Sequence, residues 1–207
     1  MRIRGAIFDV DGTVLDSMPA WDNVAQDYLT LNGFTPKDGL IEDLRTLGGH
    51  QVGAYFIDKY GMKKTPDEIT DGINSLLEDF YFHAAMPKPG VLRVLDTLKR
   101  GGVKMCVATA TDRYLVEAAL ERTGLLRYFG HVFTCSELQS GKGEPRMFLR
   151  AAEFLGTDVP DTLVFEGRRD TEVHLLPDTG HCAVSKSGET IPLMVGWLTG
   201  QLGTTAA

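Results

Sequence analysis

Asp9 and Asp11 stand one residue apart at the end of an apolar run, in "AIFDVDGTVLDS" (6–17), and Gly12 and Thr13 follow at once. On an extended strand, residues i and i+2 point to one side, so the two carboxylates are expected to face one site. Like charges at that spacing repel unless something positive sits between them. A carboxylate pair joined by a cation can attack an electrophile, hold the metal and move a proton. Gly12 and Thr13, placed in a turn, are expected to offer backbone N–H groups to the oxygens of a phosphate. The bland alternative is an Asx-type turn with two solvated acids.

Such a pair needs a rigid edge to stand on, and the chain supplies the elements for one. Four short apolar runs, "RGAIFDV", "VKMCVAT", "HVFTC" and "TLVFE", read as buried strands, with helical patterns between the last three. That alternation predicts an α/β fold: a parallel sheet with helices on its faces, whose ligands bind at the carboxyl ends of the strands. "TDRYLVEAALERTGLL" reads as a helix that starts at Thr111 or Asp112 and stops near Gly124. "EPRMFLRAAEFLG" has Pro145 near its first turn and Gly156 at its end. Between the first strand and "PKPGVLRVL" the amphipathic patterns are helical and none is strand-like. The expected organisation is a core of residues 1–15 and 87–207 and an inserted all-helical cap of residues 16–86 that acts as a lid.

Composition narrows the partners. The 207 residues carry a net charge of −7, which argues against nucleic acid, although a small phosphate ligand remains compatible with it. No apolar run is long enough to span a bilayer, and "MRIRGAIFDV" enters a strand pattern without a secretory signal. A cytoplasmic location is the default expectation, and oligomeric state is not legible. Cys106, Cys135 and Cys182 are few and widely spaced, as buried thiols of a reducing compartment are.

"FDVDGTVLDS" resembles the first motif of the haloacid dehalogenase-like (HAD) superfamily, in its phosphatase and phosphomutase branch, and the resemblance runs from Met1 to about Glu166. It implies a Rossmann-like core with a helical cap, acting on a small phosphorylated metabolite with Mg²⁺ as cofactor. "MCVATAT" matches the second motif at Thr109, followed by Ala110 and Thr111; "SGKGEPRMFLRAAEFLG" matches the third at Lys142. By that resemblance Asp9 is the nucleophile, Asp11 the general acid and then base, and Thr109 and Lys142 hold phosphate oxygens. A phosphate dianion would repel Asp9 by ~4 kcal/mol per charge at ~4 Å and an effective dielectric of ~20, which a bound Mg²⁺ offsets. Hydrolysis is the expected reaction. A sugar-phosphate mutase would use the same core residues, and dehalogenation is disfavoured because that branch lacks the second acid.

The fourth motif departs from the family. It normally reads E-D, D-D or G-D-x-x-x-D and completes the metal site, whereas this chain has "VFEGRRDTEVHLLPDTGHCAVS". Glu166 matches the first acid, Gly167 takes the place of the second, and Pro177 breaks the helix that should follow. Three accounts stand. Glu166 or Asp170 binds the metal in a rearranged loop; or the site is impaired and the protein binds ligands without turnover; or a compensated frameshift in residues 167–180 hides an "EDA", since GGA-CGC loses one G to give GAC-GCN. Arg168 and Arg169 would attract phosphate if they pointed inward, but read better as solvated loop residues. His50 reads as a solvated residue at a helix start, Trp21 as packing, and the aromatics of "FYFHAAM" as cap core.

Overall fold

The computed structural model describes residues 3–44, 47, 49–138, 145–166 and 181–183. Five parallel strands form one sheet in the order β3-β2-β1-β4-β5: β1 (Gly5–Phe8), β2 (Lys104–Thr109), β3 (Val132–Thr134), β4 (Thr162–Glu166) and β5 (His181–Ala183). The helices are α1 (Met18–Leu31), α2 (Leu40–Leu44), α3 (Gly49–Tyr60), α4 (Pro66–Asp79), α5 (Val91–Arg100), α6 (Arg113–Arg122), α7 (Cys135–Leu138) and α8 (Pro145–Leu155). The four strands expected from sequence are present, and β5 joins them at the edge beside β4. No described helix is long and apolar enough to cross a membrane.

β1 is central because both its faces and both its edges are used. Gly5–Phe8 pair with Lys104–Val107 on one side and with Thr162–Phe165 on the other. Alternate residues serve opposite faces, as the pleat requires. Ala6, Phe8, Met105, Val107, Leu163 and Phe165 join the larger core with α5 and α6, and the Phe8 and Phe165 rings stack 4.3 Å apart. Ile7, Cys106, Ala108 and Val164 meet Met147, Ala151 and Leu155 of α8. A sheet covered on both faces explains why β1 is continuously apolar rather than alternating.

Among the described residues, the chain between β1 and β2 is helical in every regular element. It leaves and rejoins the sheet through two paired segments. The Asp16 N–H donates to the Met86 carbonyl at 2.9 Å and the Lys88 N–H to the Val14 carbonyl at 2.9 Å, on either side of an antiparallel Leu15–Pro87 bridge. Inside the insertion, α4 starts on a capping box: the Thr65 hydroxyl accepts from the Glu68 N–H, and the Glu68 carboxylate accepts from the Thr65 N–H at 2.7 Å. Gly53 lets α3 run close to that start, since a Cβ there would lie 2.6 Å from the Pro66 backbone. The end of α4 widens into a π-helical turn, Phe80–Ala84.

The helical insertion also touches the sheet core through α6. Asn74 on α4 donates to Asp112, which accepts from Ser136 at 2.9 Å on its other oxygen. Tyr114 donates to Glu78 at 3.1 Å, and Arg122 donates to the Ala85 carbonyl where the π turn ends. Asp112 occupies the N-cap position expected of it, yet its side chain caps nothing. The carboxylate is drawn away to Asn74 and Ser136.

Candidate active site

β1 ends at Phe8, so Asp9 and Asp11 lie just beyond the strand rather than on it. Asp9 still continues the sheet, its N–H donating to the Phe165 carbonyl at 2.9 Å. The chain then coils: the Val10 carbonyl accepts from the N–H groups of Thr13, Val14 and Leu15, and Gly12 takes a φ of 75° that favours glycine. This turn corrects the expectation that Gly12 and Thr13 hold backbone N–H groups open to a phosphate. The Gly12 N–H donates to the Leu15 carbonyl at 3.0 Å and the Thr13 N–H to the Val10 carbonyl at 3.2 Å. Compactness at the strand end consumes them.

The two acids have different surroundings. Asp9 is 3% exposed, and its Oδ2 accepts from the Thr13 hydroxyl at 2.9 Å. Asp11, half-buried, is held by three hydroxyls. Ser17 donates to its Oδ1 at 2.6 Å, Tyr81 donates to the same oxygen, and Thr111 donates to Oδ2 at 2.5 Å. A carboxylate has about four acceptor positions, so only one is left, on Oδ2. Behind Tyr81, the Trp21 Nε1–H donates to the phenol oxygen at 2.8 Å. Burial first, then the charge of Asp11 and the hydrogen bond to it, holds the Tyr81 phenol well above its ordinary pKa. The phenol is therefore a donor.

The second motif lies at the carboxyl end of β2, next to β1. Thr109 is 1% exposed, and its hydroxyl accepts from the Thr111 N–H at 3.1 Å. A hydroxyl that accepts there keeps its own proton to donate. Ala110 is exposed, with its N–H at the same edge. On the other side of β1, Glu166 ends β4 one residue past the Phe8–Phe165 pair, which brings it to the level of Asp9. Lys142, Asp170, Gly167, Arg168 and Arg169 lie outside the described residues.

Asp9, just past β1, and Glu166, at the end of the adjacent β4, offer hard carboxylate oxygens, the donor type that Mg²⁺ takes. Among the described residues no three His, Cys, Asp or Glu side chains form a metal-holding group. The fit is thus to a cation held by one or two carboxylates with water and substrate oxygens completing the shell, the usual manner for Mg²⁺. Asp11's carboxylate, already accepting from three hydroxyls, keeps one acceptor position, on Oδ2.

Sequence reasoning missed Tyr81. Its ring is fully buried as cap core should be, but its hydroxyl reaches Asp11. The π-helical turn that carries it is a common mark of functional positions, and nothing in "FYFHAAM" signals it. Trp21 packs, as expected, and also donates to Tyr81; His50 is exposed near the start of α3. Cys106 is buried, which pushes its thiol up to about 12, and Cys135 is half-buried. The Cys182 side chain lies outside the described residues.

A parallel sheet with acids and a threonine on its carboxyl edge, and a helical insertion directly after the first acidic loop, defines a Rossmann-like α/β protein with its candidate site at that edge. The chain belongs to the haloacid dehalogenase-like hydrolase family, whose model matches residues 3–168. It is similar to a phosphoglycolate phosphatase of Agrobacterium fabrum, 27% identical over 166 residues that cover 77% of this chain and 70% of that protein. A fructose-1-phosphate phosphatase of Escherichia coli is 28% identical over 180 residues, covering 80% and 87%. Among solved structures, CbbY from Rhodobacter sphaeroides in complex with phosphate matches with a TM-score of 0.70 at 20% identity, over 80% of this chain and 78% of that one. A beta-phosphoglucomutase from Clostridium difficile matches at 0.65 and 16% identity, over 81% and 77%. These two likenesses establish the fold, a Rossmann-like α/β core.

Proposed function

We propose that the protein is a Mg²⁺-dependent phosphatase of a small phosphorylated metabolite in the cytoplasm, working through an aspartyl-phosphate on Asp9. The observation that carries this reading is the division of labour between the acids: Asp9 buried at the sheet edge, Asp11 held apart by hydroxyls. Asp9 attacks phosphorus and forms the P–O bond while the bond to the leaving alcohol breaks. Asp11 gives that alcohol a proton, then takes one from the water that releases phosphate. The Thr109 hydroxyl, the Ala110 N–H and Lys142 hold the non-reacting oxygens as charge spreads over them. Asp9 and Glu166, with Asp170, would hold the metal; Asp11 is the further candidate ligand. Bound there, Mg²⁺ would neutralise charge between nucleophile and phosphate. The helical block of residues 16–86 serves as the cap, and supplies substrate selection.

The direct test is hydrolysis of p-nitrophenyl phosphate with Mg²⁺ titrated in. Activity should rise with Mg²⁺ and fall about 10³-fold or more in Asp9→Asn, the scale on which loss of a nucleophile is felt. Activity that survives Asp9→Asn unchanged removes the mechanism. Gly167, standing where the family pattern has an acid, supports a second reading: a protein that binds a phosphorylated ligand without turnover. Phosphate binding by calorimetry with no hydrolysis at any Mg²⁺ concentration would favour it. A mutase reading predicts phosphate transfer between sugar positions rather than its release.

A further inference from the structure

Asp11 takes hydrogen bonds from three hydroxyls, but these are not equivalent. Ser17 and Thr111 are aliphatic hydroxyls whose protons can rotate to other partners. Tyr81 is different, because its oxygen already takes the Trp21 Nε1–H, which can only donate, at 2.8 Å, and is also reached by the Thr111 hydroxyl. With that lone pair taken, the single phenolic proton is delivered to Asp11 Oδ1. The Tyr81 ring is fully buried and T-stacked on Phe80, so the phenol has no alternative position. Both residues belong to the helical insertion: Trp21 lies on α1 and Tyr81 in the π turn after α4. Tyr81 is the second residue of that π turn, Phe80–Ala84, and from there its hydroxyl reaches Asp11.

The geometry points to Tyr81, fixed by Trp21, as a positioning residue that orients the Asp11 carboxylate and ties its proton transfer to the seating of the helical insertion. Oδ1 accepts from both Ser17 and Tyr81, and Oδ2 from Thr111 alone, so the position left for the proton exchanged with the leaving alcohol and with water is on Oδ2. This inference rests on the reading of Asp11 as general acid, and its test separates the two.

The full-length protein is assayed with Mg²⁺ on p-nitrophenyl phosphate, whose leaving group needs little protonation, and on phenyl phosphate, whose leaving group needs it. Asp11→Asn, Tyr81→Phe and Trp21→Phe are compared with the wild type. Tyr81→Phe keeps the ring and removes only the hydroxyl. It should lower kcat on phenyl phosphate about tenfold or more, a fraction of what a general acid supplies, with KM little changed and p-nitrophenyl phosphate affected less than about threefold. Trp21→Phe should shift both substrates in the same sense by a smaller factor, and adding it to Tyr81→Phe should cost nothing further. Equal losses on the two substrates, or none, in Tyr81→Phe overturn the inference, because a merely structural role has no leaving-group dependence. If Tyr81→Phe does not fold, Trp21→Phe decides by the same criterion. Asp11→Asn without leaving-group dependence overturns the reading of Asp11 itself; Asp11→Asn with it and Tyr81→Phe without it overturns only the role of Tyr81.

Discussion

Asp9 and Asp11 are near neighbours in the chain but are held by different regions of the molecule. Asp9 belongs to the sheet edge: its hydroxyl partner is four residues away, and its backbone is tied to β4. Asp11 belongs to the junction between sheet core and helical insertion, with hydroxyl partners 6, 70 and 100 residues away. Asp9 is thus tied to nearby chain and to the sheet, whereas Asp11 draws partners from both sides: Thr111 from the strand edge and Tyr81 from the insertion. In physical terms the sheet edge is rigid because both its faces are packed, whereas the junction adds side-chain hydrogen bonds over an apolar cluster that continues into the insertion.

The largest effects should separate the acids by the step each serves. Asp9→Asn is expected to leave no phosphate on the protein with any substrate. Asp11→Asn should lower turnover by about 10²–10⁴ yet still accept phosphate from p-nitrophenyl phosphate, because that leaving group departs unaided. Acid quenching followed by mass spectrometry reads the difference. Loss of the phosphorylated species in both variants would merge the two regions into one function and end the comparison.

Next in size is the stability of the sheet edge itself. Phe8 is 3% exposed and stacks on Phe165, so Phe8→Ala should cost about 3–5 kcal/mol in denaturant unfolding. At the junction, Asn74→Ala removes a 6% exposed amide and one partner of Asp112, which keeps Ser136 and so stays partly satisfied. The expected cost is smaller, about 1–3 kcal/mol. A junction variant as costly as the core variant would mean that the insertion and the sheet unfold as one packed unit. Gly167→Asp probes the metal side from the sequence pattern alone. Restoring an acid there should lower the Mg²⁺ concentration for half-maximal activity about tenfold, since even groups outside a metal's first coordination shell are worth that much. No change would mean that other groups already complete the site.

The sheet edge was legible in the sequence and the junction was not, for a physical reason. β1, β2, β3 and β4 announce themselves because buried parallel strands are short and apolar, and "DVDGT" follows one of them with an unmistakable charge pattern. β5, only three residues long, carries no such signal. Thr109 was singled out by its order after Asp9, and it does end β2, buried beside β1. Tyr81 was read as packing because its ring is packing; a hydroxyl that spans 70 residues to meet Asp11 leaves no local pattern. The open N–H groups expected of Gly12 and Thr13 failed on hydrogen-bond economy, since a tight turn satisfies its own donors first. Asp112 failed likewise as a helix cap, drawn off by Asn74 from a distant helix.

The smallest expected effect tests whether the junction depends on the helix that carries it. α4 bears Asn74 and leads into the turn of Tyr81, and its first turn is fixed by the Thr65–Glu68 capping box. The Thr65 N–H, then the Thr65 hydroxyl, holds the exposed Glu68 carboxyl below its ordinary value of 4.5. A carboxylate whose pKa is depressed on folding contributes stability above its unfolded value, and loses that contribution as pH falls through the folded value. Glu68→Gln has no charge to lose. Its melting temperature should therefore lie slightly below that of the wild type at neutral pH, and the gap should close as pH is taken below 4.5. Turnover at neutral pH should be unchanged, because Glu68 touches neither acid. A gap that is the same at every pH would remove the charge from the account of α4. A fall in turnover with the melting temperature intact would show that the start of α4 helps to seat Tyr81 on Asp11, and would draw the boundary between the two regions further into the insertion.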